Sequence, residues 1–280
     1  MYLFVIVCYN KGKEECIMYV NITGSKNNKD VYIYQSFRKA NGKSSSRIYK
    51  KLGKYNELLE ELESISEVDF ADFQRRIIRD GELKIFGVRT PQLRKLAKKY
   101  SGQYDLFAQF PNEYYEVVFL KLTLAAQLPY EGFVAVLDDC VRLITDWALC
   151  DLFTPQCIKK RRDDFILYIK KYLAAGDGYY NGGEYARRFS LRILLSFYVE
   201  EKYLPFIFES ISCCNPDKYY VVMGAAWLLA EVLIKHYEAG FKYLHSTTCD
   251  INVKNKAISK ACDSFRVSAE RKAELKTLRG

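Results

Sequence analysis

From Ser66 to its C-terminal residue the chain is a succession of apolar runs at helical period, and this rhythm restricts its fold more than any other feature. Helices are predicted at Val68–Ile78, Gln92–Tyr100, Asn112–Leu128, Tyr130–Asp139, Val141–Phe153, Asp163–Ala174, Glu184–Tyr198, Lys202–Ser212, Lys218–Lys235, Phe241–His245, Lys254–Phe265 and Ala269–Leu278. The breaks are short, the softest being Ala174–Gly178 and Asn181–Gly183. Helices joined this way, with no strands between them, bury their apolar stripes by pairing as antiparallel hairpins. Such hairpins recur roughly every 30 to 40 residues, the spacing of HEAT-type repeats. The expected fold class for residues 66–280 is all-α, an α-solenoid of HEAT-like helical repeats.

Residues 1–65 read differently, as a small β-rich appendage. Met1–Tyr9 and Glu15–Ile22 are strand-like around a turn at Asn10–Lys13. Val31–Arg38 alternates in the manner of a half-buried strand and is followed by Ala40-Asn41-Gly42-Lys43 and the run Ser46–Gly53, a strong hairpin signal. Nine basic residues lie between Lys26 and Lys54 against one acid, Asp30. This is either a solubilising face on an edge hairpin or a basic, tyrosine-bearing surface for nucleic acid. The stretch from Ser25-Lys26-Asn27 to Lys51-Leu52-Gly53-Lys54-Tyr55 resembles the N-terminal hairpin of certain insertion-sequence transposases. No spaced catalytic acids of that kind follow it.

Composition removes several classes of function. The hydrophobic share of 49% supports a sizeable core, yet no apolar run is long enough to cross a membrane. The first nine residues lack the basic flank and cleavage site of a signal peptide. Nine cysteines occur without a CxxC pair, which fits reduced packing residues in a cytoplasmic protein. The two histidines, His236 and His245, leave little scope for imidazole catalysis, and no metal site is expected. His236, beside Lys235 near a helix end, suits a surface or dipole role. The net charge of +9 is compatible with a polyanionic partner.

One heptapeptide carries more chemistry than its neighbours: Thr145-Asp146-Trp147-Ala148-Leu149-Cys150-Asp151. Trp147 and Asp151, four residues apart, share a helix face. An indole beside a carboxylate can stabilise a cation in a partly dry site. Taken alone, they could equally be a core residue and a solvated or capping acid. Two further positions stand out. Arg188 sits near the start of an apolar helix, and Trp227, the only other tryptophan, lies mid-helix among small residues in Met223-Gly224-Ala225-Ala226-Trp227.

Residues 66–280 resemble the AlkD-like DNA alkylation repair proteins, which are HEAT-like-repeat DNA glycosylases. The likeness is carried in order by Phe86–Lys98, the Asp146–Asp151 segment, Arg188-Phe189-Ser190, Tyr219–Glu231, and Asn255–Lys260 with Ser264–Ser268. It implies that Asp151 is the catalytic aspartate, Trp147 and Trp227 the sugar-contacting tryptophans, and Arg188 the active-site arginine, with Arg187 as the alternative. The implied activity is excision of cationic N-alkylated purines, 3-methyladenine and 7-methylguanine, from duplex DNA by a monomer without a cofactor. Asp151 would stabilise an oxocarbenium-like deoxyribose and orient a water, the indoles would attract the cation, and Arg188 would hold a backbone phosphate bidentately. The lesion would be gripped through its backbone and sugar, without a deep base pocket. Further phosphate contacts are expected from Arg89, Arg94, Lys95, Lys98 and Lys99 near one end, from Arg187, and from Lys254, Lys256, Lys260 and Arg266 near the other. The competing expectation is a non-catalytic DNA- or protein-binding solenoid. The glycine-rich loop before Glu184 and the N-terminal appendage depart from the family pattern.

Overall fold

The computed structural model describes residues 5–8, 16–25, 28–39, 42–78, 83–176, 179, 183–214, 218–246 and 248–280. The expected turn at Asn10–Lys13, and Ala40-Asn41 of the second turn, lie outside them, as do Asp177, Gly178, Asn181 and Gly182 of the soft loop. The chain divides into two compact units, 1–124 and 125–280.

The first unit opens with an antiparallel meander, β1 (Val5–Cys8), β2 (Cys16–Ser25), β3 (Asn28–Arg38) and β4 (Ser44–Lys54), paired in that order. The β3–β4 register slips at Val31/Tyr32 and at Ile33/Tyr34. The turn between them closes through the Gly42 N–H, which donates to the Lys39 carbonyl at 2.8 Å. Helix α1 (Tyr55–Ser64) follows directly and packs on β3. It corrects the expectation that everything before Ser66 is β-rich. Tyr55, Leu58 and Leu62 recur at helical spacing and are buried. Glu61 on this helix accepts from Lys99 and Tyr100, both at 2.5 Å, so α1 is bonded to the helical part of its unit.

Then come α2 (Val68–Ile77), α3 (Thr90–Lys99), α4 (Tyr104–Ala108) and α5 (Tyr115–Ala125), the last ending one residue into the second unit. The loop entering α3 is fixed by a buried carboxylate: Glu116 accepts the N–H groups of Phe86, Gly87 and Val88 at 3.2, 2.9 and 3.3 Å. Gly87 has φ +88°, and a Cβ there would lie 2.4 Å from the Glu67 carbonyl oxygen. Only glycine fits this turn.

The second unit is all-α: α6 (Tyr130–Arg142), α7 (Trp147–Leu152), α8 (Arg162–Leu173), α9 (Glu184–Phe197), α10 (Leu204–Ser212), α11 (Tyr219–Lys235), α12 (Tyr237–Leu244), α13 (Ile251–Asp263) and α14 (Ala269–Thr277). A 3₁₀ turn at Gln156–Lys160 precedes α8. Alternate helices α7, α9, α11 and α13 lie side by side, while α8 and α10 pack on α9, α12 on α11 and α14 on α13. This is the stacked-hairpin repeat that the helix rhythm predicts. Among the described residues no helix is long and apolar enough to cross a membrane.

One predicted helix is not continuous. Val141–Phe153 breaks after Arg142, and α7 starts afresh at Trp147. Asp146 causes the break. Its Oδ1 accepts from the Ala148 and Leu149 N–H groups at 2.8 and 2.9 Å, so it acts as an N-cap rather than as a helical residue.

Candidate active site

The cap comes first, because it sets where α7 begins and hence where its side chains point. Asp146 is buried, and burial, with a lesser push from Asp151, raises its carboxyl to about 6 against the two backbone bonds that favour its charge. Its Oδ2 and the neighbouring Thr145 hydroxyl have no hydrogen-bond partner. On the six-residue helix so capped, Trp147 and Asp151 fall one turn apart, both half-buried, with the fully buried Cys150 beneath.

Asp151 meets α9. The Arg188 Nε and Nη2 groups donate to its two carboxylate oxygens at 3.1 and 2.7 Å, a bidentate pair with side-chain exposures of 7% for the arginine and 18% for the acid. The third arm of the fork, Nη1, donates to the Tyr220 carbonyl at 2.8 Å. The same residue is held through its N–H too, since Glu184 accepts the Tyr220 N–H at 2.8 Å and so caps α11 from α9. Burial alone would depress the guanidinium pKa, and the hydrogen-bonded Asp151 carboxylate overrides it to raise the value. Where α9 and α11 approach at Gly224, a Cβ would stand 3.4 Å from Leu191 Cδ1 and 3.6 Å from Arg188 Cγ, ordinary contact distances that leave room for a methyl group and little more.

One turn along α9, Arg192 takes a different set of partners. Its Nε donates to the Asp151 backbone carbonyl at 3.3 Å, meeting one of the carbonyls that a helix C-terminus leaves unpaired. Its Nη1 donates to the Ser196 hydroxyl. Its guanidinium carbon lies 5.3 Å from the centre of the Trp227 ring, and from α13 the Lys260 ammonium approaches the same ring at 6.0 Å. Trp227 is 37% exposed. Two turns earlier on α11, the exposed Tyr219 carries Lys256 at 5.6 Å from its ring.

The four residues singled out from the sequence therefore converge by helix: Asp151 binds Arg188, Trp147 sits one turn before Asp151, and Trp227 is joined to this group through Arg192. Arg192 was missed, although it lies one turn from Arg188 on the same face. Arg188, expected to be open to a phosphate, is committed to Asp151 instead. The alternative, Arg187, is buried and donates from Nε to the Gly183 carbonyl at 3.3 Å, so its place in the list of DNA contacts is corrected: it faces the protein interior. Three other expected contacts are exposed but paired: Arg89 with Glu67 at 2.7 Å, Lys99 with Glu61 at 2.5 Å, and Arg266 with Glu231 at 2.7 Å. Arg94, Lys95 and Lys98 are exposed on α3, and Lys254, Lys256 and Lys260 are half-buried on α13. Among the described residues no three His, Cys, Asp or Glu side chains gather to hold a metal ion.

A comparison with protein families matches residues 58–265 to the family described as DNA alkylation repair enzyme. The chain belongs to the DNA alkylation repair enzyme family. The match runs from within α1 to the turn after α13, so it contains Trp147, Asp151, Arg188, Arg192, Trp227 and Lys260. A search of curated proteins returns no match. Family membership makes DNA the polyanion that the net charge of +9 anticipates and makes repair of alkylated DNA the general activity.

Proposed function

We propose that this repair enzyme is a DNA glycosylase that removes cationic N-alkylated purines, of the 3-methyladenine and 7-methylguanine type, from duplex DNA. The observation that carries the reading is the Asp151 carboxylate held by the Arg188 fork at 2.7 and 3.1 Å, with Trp147 one turn away and Arg192 linking its backbone to the exposed Trp227 ring. Alkylation at a ring nitrogen makes the base a good leaving group. The C1′–N bond breaks, its electron pair leaves with the base, and positive charge develops on the sugar. A fixed carboxylate stabilises that charge without having to reorganise as it forms. The Trp227 and Trp147 faces add cation–π attraction. Water, hydrogen-bonded to a free lone pair of Asp151, then attacks C1′, and its proton passes to the carboxylate and from there to solvent. The products are the free alkylpurine and DNA with an abasic site.

Arg188 has two tasks in this scheme. It lays a cation against the Asp151 carboxylate, and its planar fork fixes the carboxylate orientation, which an ammonium could not do. The test is single-turnover release of methylpurine from methylated duplex by wild type and Asp151→Asn. The variant is expected to slow release by about 10²–10³-fold, the usual cost of removing one preorganised charge-stabilising group, with duplex binding retained. No release by wild type above the spontaneous rate, with binding intact, would leave the non-catalytic DNA-binding scaffold as the better reading. Release unchanged by the substitution would remove Asp151 from its role.

A further inference from the structure

Arg188 is neutralised by Asp151, so the cation that grips the DNA backbone beside the scissile sugar must be sought elsewhere. Two cations meet the requirement, from different helices and over one ring. Arg192 on α9 and Lys260 on α13 both lie within 6.0 Å of the centre of the Trp227 indole. Neither forms an ion pair with a carboxylate among the described residues, in contrast to Arg89, Lys99, Arg188 and Arg266. Arg192 spends Nε on the Asp151 backbone carbonyl and Nη1 on Ser196, which fixes its plane and leaves Nη2 without a hydrogen-bond partner among the described residues. Burial lowers its pKa, aided by the neighbouring Arg188 charge, against the opposing pull of Asp151. Two like charges held around one partly exposed indole are mutually repulsive until an anion joins them.

We propose that Arg192 and Lys260 form a two-pronged phosphodiester clamp over Trp227, which seats the backbone next to the lesion while Asp151 and Arg188 attend to the sugar. The proposal deepens the glycosylase reading and rests on it for the identity of the bound strand. The geometry connects the two tasks, since the same guanidinium that would bind phosphate bonds the backbone of Asp151 at 3.3 Å. Seating the phosphate would thereby register the sugar against the acid.

The salt dependence of binding tests this directly, because each phosphate contact releases condensed counterions. Binding of a fluorescein-labelled 25-base-pair duplex carrying one tetrahydrofuran abasic analogue is measured against salt for wild type, Arg192→Gln, Lys260→Gln and the double variant. Each single change is expected to shallow the slope of log K against log salt by about 0.9, so that affinity relative to wild type falls about eight-fold for each ten-fold dilution of salt, and the double change by about twice that slope. Arg192→Lys, which keeps the charge, should restore most of the slope. Lys159→Gln, an exposed change at the 3₁₀ turn before α8, is the control for total charge. Slopes unchanged in both single variants, or lowered equally by Lys159→Gln, would overturn the clamp. Should Arg192→Gln fail to fold, Lys260→Gln on its half-buried site carries the decision. Methylpurine release by wild type with unchanged slopes defeats the clamp alone, whereas lowered slopes without release defeat the glycosylase reading alone.

Discussion

Asp146 makes a quantitative forecast because the fold uses one of its carboxylate oxygens and strands the other. Oδ1 caps α7, Oδ2 is buried without a partner, and the carboxyl is raised from 3.8 to about 6, chiefly by burial. A group whose folded pKa lies above its unfolded one contributes stability that is fully present below the unfolded value and is lost as pH rises through the folded value. The whole effect is about 3 kcal/mol, of which about 1.4 kcal/mol falls between pH 5 and pH 7.5. Asp146→Asn keeps an equally good N-cap and removes the ionisation. Relative to that variant, wild type should therefore lose roughly 3–6 °C of Tm as pH rises from 5 to 7.5. The assay is differential scanning calorimetry of both proteins at four pH values, read as the difference between them so that every other titrating group cancels. Asp146→Ala, which loses the cap as well as the ionisation, should be less stable than Asp146→Asn by about 1 kcal/mol at all pH values. A wild-type minus Asn difference that stays flat from pH 5 to 7.5 would refute the claim that burial holds this carboxyl near 6.

Three other substitutions, at two positions, probe the supports around the site and the loop before α3. Glu116→Gln replaces an acceptor of three backbone N–H groups with a side chain whose amide end must donate, and should lower the free energy of unfolding by about 1–3 kcal/mol, measured by urea titration. Gly224→Ala should be tolerated or stabilising by up to about 1 kcal/mol, since its Cβ meets Leu191 and Arg188 at ordinary contact distances and alanine favours helix. Gly224→Val should crowd the Arg188 stem off Asp151 and slow methylpurine release far more than Gly224→Ala, which the same single-turnover assay reads.

How far the sequence could be read depended on the range of the interactions. Helix existence from α2 onward is local and periodic, so it was legible except at α4, whose five residues are too few to show a period. The break at Asp146 was not, because Ile144, Trp147 and Leu149 continue an apolar pattern across a non-helical residue, although Asp before an apolar run is itself a capping signal. Helix α1 was hidden by its neighbours, since the strand-rich composition upstream drew Tyr55–Ser64 into the appendage. Trp147, Asp151 and Trp227 could be singled out because aromatic and acidic side chains at special positions carry a family likeness. The choice between Arg187 and Arg188 could not be made from sequence. Adjacent helical residues point about 100° apart, both arginines are buried, and only the neighbouring α7 and α11 determine which one meets Asp151. The pairing of Arg266 with Glu231 across thirty-five residues left no local trace at all.

The contrast between Arg188 and Arg192 follows from one-turn spacing on helices that lie side by side. On α7, α9, α11 and α13 the relevant residues recur every four or eight positions: Trp147 and Asp151, Arg188 and Arg192, Tyr219 and Trp227, Lys256 and Lys260. Each turn of one helix therefore faces a turn of the next, and the level at which a cation falls determines its partner. Arg188 falls level with a carboxylate and Arg192 level with an indole. A unit charge 4 Å from a phosphate is worth about 4 kcal/mol at the effective dielectric of a protein surface, whereas a closed ion pair presents almost no net charge to the same anion. In the proposed clamp, moving a positive charge by one turn of α9 changes its use from orienting the acid to holding the strand. A single arginine could not do both, because the N–H groups that fix Asp151 cannot also bind a phosphate.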